Sequence, residues 1–206
     1  MGLTGILSDL DGVLVDSHAS IMRSWRWWGA LHGVEAQAVE GVEHGRPSGE
    51  VIAALLPGVD ALQESRTLDL RQADDVRDVV ALPGAHELFA GVDPVAVVTS
   101  CTIPLARARL GAAGLPVPEI LVTPERLSRG KPDPEGYLLA ARELGFEPAD
   151  CIVFEDAPAG VAAGRAAGMH VVGITTTHDP AELDAHELAP SIAAWLSARK
   201  LAQPGS

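Results

Sequence analysis

Lysine is nearly missing from this chain of 206 residues: of its 15 basic residues only Lys131 and Lys200 are lysines. Cysteine is as scarce. Cys101 and Cys151 alone cannot build a disulfide framework, so a reducing cytoplasm is the expected setting. Positive charge is outnumbered, 15 basic residues against 28 acidic ones, for a formal net charge of -13. That balance argues against nucleic acid or an anionic membrane as a partner. An anionic substrate would have to be held locally, by a metal ion, a helix N-terminus or a few chosen cations. No apolar run reaches the length of a membrane span, and the N-terminus lacks the basic-then-apolar pattern of a signal peptide. Internal repeats and low-complexity tracts are absent as well. What is present is 47% hydrophobic and 21% charged residues, enough for one full domain, or for one domain carrying a modest insertion. A monomer is the default expectation.

Five short apolar runs punctuate the chain: Gly5 to Leu7, Val95 to Val98, Ile120 to Val122, Ile152 to Phe154 and Val171 to Ile174. Each has strand length and no polar interruption, as strands buried on both faces require. Ala- and Leu-rich stretches at 102–113, 134–144 and 157–168 separate the later runs, with Gly or Pro at their ends. The alternation predicts an α/β fold, a Rossmann-like parallel sheet with helices on both faces. One segment breaks the rhythm. From Ser17 to Ala81 the pattern reads as helix only, over Ala19 to His32, Gly49 to Leu56 and Ala61 to Val80. This excursion of roughly 65 residues is far longer than a crossover needs. The expected organisation is a core domain of residues 1–16 and 82–206, with an all-helical domain at 17–81.

In open α/β sheets, ligands sit at the carboxyl ends of the strands. The first run ends in Ser8-Asp9-Leu10-Asp11, the second in Thr99-Ser100 and the fourth in Glu155-Asp156. The third is followed by Arg129-Gly130-Lys131-Pro132-Asp133-Pro134. Carboxylates, hydroxyls and the isolated Lys131 thus converge on one rim. Four carboxylates in one crevice call for a hard divalent cation with oxygen ligands, Mg²⁺ above all. A compact ammonium beside them suits a phosphoryl oxygen or the carboxylates themselves. Asp9 and Asp11 pose a problem of their own, because residues two apart on a strand share a face and like charges repel.

The segments DLDGVLVDS at 9–17, VVTS at 97–100, GKPDP at 130–134 and VFEDAPAG at 153–160 together resemble the haloacid dehalogenase superfamily. The resemblance covers nearly the whole chain and implies a Mg²⁺-dependent phosphoryl transferase with a helical cap after the first strand. It implies Asp9 as the nucleophile, and Asp11 as the acid and base that serves the leaving group and then water. Thr99 and Ser100 would hold phosphoryl oxygens, and Lys131 would steady the transferring group. Asp9, the carbonyl of Asp11 and Asp156 would bind the metal, with Glu155 behind them. Asp11 also separates the chain from the dehalogenase branch, which needs no acid there.

Within the superfamily, residues 98–139 and 153–169 resemble phosphatases of sugars, hexitols, glycerol and 2-deoxyglucose 6-phosphate. Small phosphorylated sugars or polyols are the implied substrates. The cap turn Glu43-His44-Gly45-Arg46 is the expected reader of the leaving group. His44 and Arg46 can donate hydrogen bonds, and Gly45 allows close backbone approach. The alternative is a β-phosphoglucomutase-like phosphomutase. Mutases carry a His in the first cap helix where this chain has Ile21, and Ser48 falls where they carry an Arg. A non-catalytic descendant is a third possibility, but it would have no chemical need for both Asp9 and Asp11. Cys101, beside Thr99-Ser100, is either a reactive thiol near an anion site or a buried inert one. The cluster Trp25-Arg26-Trp27-Trp28 either lines a sugar site or packs the helices of the insertion.

Overall fold

Apolar runs become strands where both of their faces can be covered, and that sets the architecture here. The computed structural model describes residues 4–35, 37–38 and 48–201. Strand β1 (Gly5–Ser8) leads into β2 (Val15–Asp16), then helices α1 (His18–His32), α2 (Ser48–Leu55) and α3 (Ala61–Asp74), and back through β3 (Val80–Ala81). Strand and helix then alternate: α4 (Ala85–Ala90), β4 (Val95–Val98), α5 (Ile103–Ala112), β5 (Ile120–Val122), α6 (Glu135–Leu144), β6 (Cys151–Glu155), α7 (Pro158–Ala166) and β7 (His170–Ile174). The chain closes on β8 (Glu187–Ala189) and α8 (Ile192–Leu201).

Six strands form one parallel sheet in the order β5-β4-β1-β6-β7-β8. The order reverses at β1, so a crevice opens at its carboxyl end. Successive side chains on each strand go to opposite faces. Ile6, Val97, Phe154 and Val172 pack on one face with Leu105 and Leu110 of α5 and Ile192 and Trp195 of α8. Leu7, Ala96, Val98, Val153 and Val171 pack on the other with Tyr137 and Ala140 of α6 and Val161 of α7. Each such aliphatic side chain contributes about 1.5–3 kcal/mol by leaving water.

The helices between β2 and β3 own a separate cluster of Trp25, Trp28, Val51, Ile52 and Leu68. Trp25 and Trp28 meet edge to face at 5.7 Å, and the Trp28 indole donates to Glu64 Oε2 at 2.9 Å. These two rings pack the inserted helices. Trp27 is 37% exposed, with the Arg71 guanidinium 5.5 Å from its ring.

Two local expectations change. Helix α3 stops at Asp74 rather than Val80, because Asp75 is drawn into a bidentate pair with Arg23 of α1 at 2.9 and 3.0 Å. The Ser20 hydroxyl also donates to the Asp75 carbonyl, at 2.6 Å. The freed residues then form β3, which pairs antiparallel with β2 through Val15↔Ala81 and Asp16↔Val80. The stretch read as helix alone thus contains a strand, and the insertion leaves and returns through a two-stranded ribbon. Strand β8 at the sheet edge was not expected from the sequence either. Its Glu187 and Leu188 are exposed, so it carries no unbroken apolar signal.

Helix α3 meets α5 through polar groups. The Asp69 carboxylate, 8% exposed, accepts from Thr102 and, at 3.5 Å, from Ser48. Burial raises its pKa from 3.8 to about 6, against the opposing pull of Thr102, Arg109 and Ser48. A carboxyl with a folded pKa above its unfolded one adds stability below about pH 4 that is lost as pH rises through about 6. Asp69→Asn is therefore expected to gain about 1–3 kcal/mol over the wild type near pH 7 and nothing near pH 4. Thermal unfolding of both proteins across this range reads the difference directly.

Candidate active site

The sheet's reversal point carries Asp9, immediately beyond β1. Its N–H donates to the Phe154 carbonyl on β6 at 3.0 Å, which fixes it against the neighbouring strand. The chain then turns sharply: the N–H groups of Leu14 and Val15 both donate to the Leu10 carbonyl, at 2.9 and 3.0 Å. Leu10 fills the core below, fully buried. Gly12 has φ +75°, and a Cβ there would stand 2.0 Å from Asp156 Oδ2, so only glycine lets this loop lie against Asp156. Asp9 and Asp11 are consequently not two neighbours on one strand face. The bend separates them.

Asp9, Glu155 and Asp156 offer oxygens that all lie within 4.8 Å of one another. The three are 7%, 0% and 2% exposed. Among them sits the Lys131 ammonium, whose three protons have three acceptors: Asp9 Oδ1 at 2.8 Å, Glu155 Oε1 at 2.6 Å and the Val98 carbonyl at 3.0 Å. Burial works against the Lys131 charge, but Asp9 and Glu155 outweigh it and raise the pKa. Tyr137, the only tyrosine of the chain, donates its hydroxyl to Glu155 Oε1 at 2.5 Å. Glu155 lies against Gly160, where a Cβ would overlap the carboxylate at 1.9 Å.

The charge in this pocket does not balance. One ammonium faces three buried carboxylates, and burial raises the Asp9 pKa to about 7 and the Asp156 pKa well above its usual value. Glu155 Oε2 is buried without a hydrogen-bond partner. The donor set is oxygen only, and it fits a hard divalent cation. Glu155, expected behind the metal ligands, lies within the same 4.8 Å cluster as Asp9 and Asp156 and also pairs with Lys131. Among the described residues, the side chain of Asp11 is not in this acidic cluster.

Beside the cluster, a cavity of about 250 Å³ is lined by Thr99, Ser100, Gly130, Lys131 and Tyr137, among others. Thr99 is buried at the end of β4, and its hydroxyl accepts from the Cys101 N–H at 3.1 Å. The Asp11 carboxylate is held separately. Ser17 donates to Oδ1 at 2.6 Å, while the Cys101 thiol and Arg109 Nη1 donate to Oδ2 at 2.9 and 2.5 Å. Burial, with the Asp11 charge adding to it, pushes the Cys101 thiol well above its ordinary pKa despite Arg109. Of the two readings of Cys101, the buried and unreactive one fits this environment.

The fold brings Asp9, Asp11, Thr99, Ser100, Lys131, Glu155 and Asp156 to one end of the sheet. His44, Gly45 and Arg46 lie outside the described residues. Three neighbours were missed in the sequence. Tyr137 stands six residues after Lys131, and its being the sole tyrosine was a usable signal. Thr177, which donates to Asp156 Oδ2, stands just beyond the fifth apolar run, where the polar end of that strand was the signal. Arg109 offered only its place among Leu105, Ala106 and Leu110, a cation on an apolar helix face.

Comparison with known proteins agrees with this geometry. The profile of the haloacid dehalogenase-like hydrolases matches residues 3–168, and the chain belongs to that family. Hexitol phosphatase A of Escherichia coli (strain K12) is 41% identical over 195 residues, covering 91% of this chain and 90% of its own. The 2-deoxyglucose-6-phosphate phosphatase 2 of Saccharomyces cerevisiae is 32% identical, over 86% of this chain and 82% of its own. A hydrolase from Pseudomonas syringae shares the fold with a TM-score of 0.80 at 24% identity, covering 98% of this chain and 100% of its own. The β-phosphoglucomutase of Bacillus subtilis is 50% identical, but over 54 residues, 26% of this chain and 24% of its own.

Proposed function

We propose that this protein is a Mg²⁺-dependent phosphatase that hydrolyses small phosphorylated sugars or polyols through an aspartyl-phosphate on Asp9. The observation that carries the reading is the contact of Lys131 with Asp9 and Glu155, while the Asp11 carboxylate is held apart from that cluster. That arrangement supports one carboxylate as a nucleophile beside a cation and a second as the group for protons.

Asp9 attacks phosphorus, and the bond from phosphorus to the ester oxygen breaks as Asp11 protonates that oxygen. Asp11 then takes a proton from water as the water attacks the phosphoryl-aspartate, releasing phosphate and restoring Asp9. Thr99 and the N–H of Ser100 hold phosphoryl oxygens during both steps, and Lys131 offsets their charge. Asp9, the Asp11 carbonyl and Asp156 would hold Mg²⁺, with Glu155 supporting them. When bound, the ion lowers the repulsion between nucleophile and phosphate.

Residues 17–81 serve as a cap domain on a core of 1–16 and 82–206, with His44, Gly45 and Arg46 reading the leaving group. The names of the relatives, a hexitol phosphatase and a 2-deoxyglucose-6-phosphate phosphatase, support the substrate class. The phosphomutase alternative is weaker. Ile21, where mutases need a histidine, packs half-buried against the tryptophan cluster. The protein is taken to act as a cytoplasmic monomer on small molecules, without nucleic acid or membrane. Among the described residues no helix is long and apolar enough to cross a membrane.

The test is phosphate release from a panel of sugar, polyol and triose phosphates with Mg²⁺. Release that stops with EDTA is the expected result. Turnover that survives the chelator would sink the metal assignment, and isomerisation of a sugar phosphate without free phosphate would favour the mutase.

A further inference from the structure

Arg109 is 1% exposed on a helix face whose neighbours Leu105, Ala106 and Leu110 belong to the core. A charge buried at such a place costs several kcal/mol unless its partners are well aligned. Arg109 directs its hydrogen bonds away from its own helix turn. Nη1 donates to Asp11 Oδ2 at 2.5 Å and to Cys101 Sγ at 2.9 Å, and Nη2 donates to Gln72 Oε1 on α3. Gln72 is itself 5% exposed. With Ser17 on Oδ1 and Arg109 and Cys101 on Oδ2, both oxygens of Asp11 are clamped.

We propose that Arg109 is the positioning residue of the Asp11 carboxylate, and that Gln72, from the inserted helix, holds the Arg109 fork in the plane that does this. The inference rests on the reading of Asp11 as the group that protonates the leaving oxygen. A planar guanidinium with fixed donors sets direction as well as charge, which a lysine ammonium cannot do. Misplacing a reacting group by about 1 Å costs up to a hundredfold in rate.

The measurement is kcat for an alkyl phosphate, glycerol 1-phosphate, against p-nitrophenyl phosphate, whose leaving group departs without needing a proton. Arg109→Lys keeps the charge and loses the fork; Gln72→Met keeps Arg109 and loses its brace. Both are expected to lower kcat on the alkyl phosphate about tenfold to a hundredfold, and to lower it far less on the aryl phosphate. Equal losses on the two substrates, or full rescue of Arg109→Lys on the alkyl phosphate, would reduce Arg109 to a buried charge partner and overturn the proposal. Asp11→Asn is the reference. If it shows the selective loss and the other two variants do not, the positioning role alone fails. If Asp11→Asn shows no selectivity, the acid role of Asp11 fails, and this inference falls with it.

Discussion

Asp9→Asn is expected to lower phosphate release at least about a thousandfold while leaving the protein folded and, without metal, more stable. The rate loss follows from the proposed role of Asp9: a carboxamide cannot replace a carboxylate as nucleophile, and loss of a nucleophile is among the most costly single changes in an active site. No phosphoryl group should be captured on the chain when the variant is quenched with acid during turnover. The stability gain follows from the raised pKa of Asp9, about 7 against 3.8. The contribution of a raised carboxyl is fully present below about pH 4 and is lost as pH climbs through about 7. The metal-free wild type therefore carries a penalty on the order of 4 kcal/mol near neutral pH that the Asn variant escapes. Thermal unfolding in EDTA from pH 4 to 8 should show the two curves diverge as pH rises. Parallel curves would mean that Asp9 ionises without strain, and that the pocket needs no cation.

The opposite stability change is expected for Lys131→Met, which leaves Asp9, Glu155 and Asp156 buried together with no ammonium. Removing one partner of a buried ion pair costs about 3–5 kcal/mol, because the other charge stays in place without compensation. For a chain of this size that is a fall of roughly 10 °C in Tm, measured in EDTA near pH 7. Excess Mg²⁺ should recover part of it by binding the folded form. Activity should fall about a hundredfold or more even with Mg²⁺ saturating, if Lys131 faces the transferring phosphoryl group as proposed. A variant as stable as the wild type in EDTA would show that the carboxylates simply protonate. The ammonium would then be there for catalysis alone.

Glu155 has partners that its position in the chain does not announce. Its acidity and its place at a strand end were visible, but its part was expected to be support for the metal ligands. In the fold it also accepts from Lys131 and Tyr137, residues 24 and 18 positions away in the chain. Strands could be read because burial on two faces demands uninterrupted apolar residues, as in Val95-Ala96-Val97-Val98. Strands β2 and β3, two residues each, are too short to show any period, and β8 is half exposed at an edge. The limit of helix α3 was illegible for a related reason. Nothing around Asp75 breaks a helix until Arg23, 52 residues earlier, pairs with it.

By itself, then, the sequence determined the parallel sheet and its helical insertion. It also determined the strand-end residues Asp9, Asp11, Thr99, Ser100, Lys131, Glu155 and Asp156, since buried strands and their polar ends leave a local pattern. Only the tertiary structure decided which partners those groups meet. The bend at Gly12 parts Asp9 from Asp11 and leaves one beside Lys131 and the other beneath Arg109 and Cys101. The Asp11 to Arg109 contact spans 98 positions, and the Arg109 to Gln72 contact spans 37. No local pattern records such partners, because a buried cation is matched by whatever the fold packs against it.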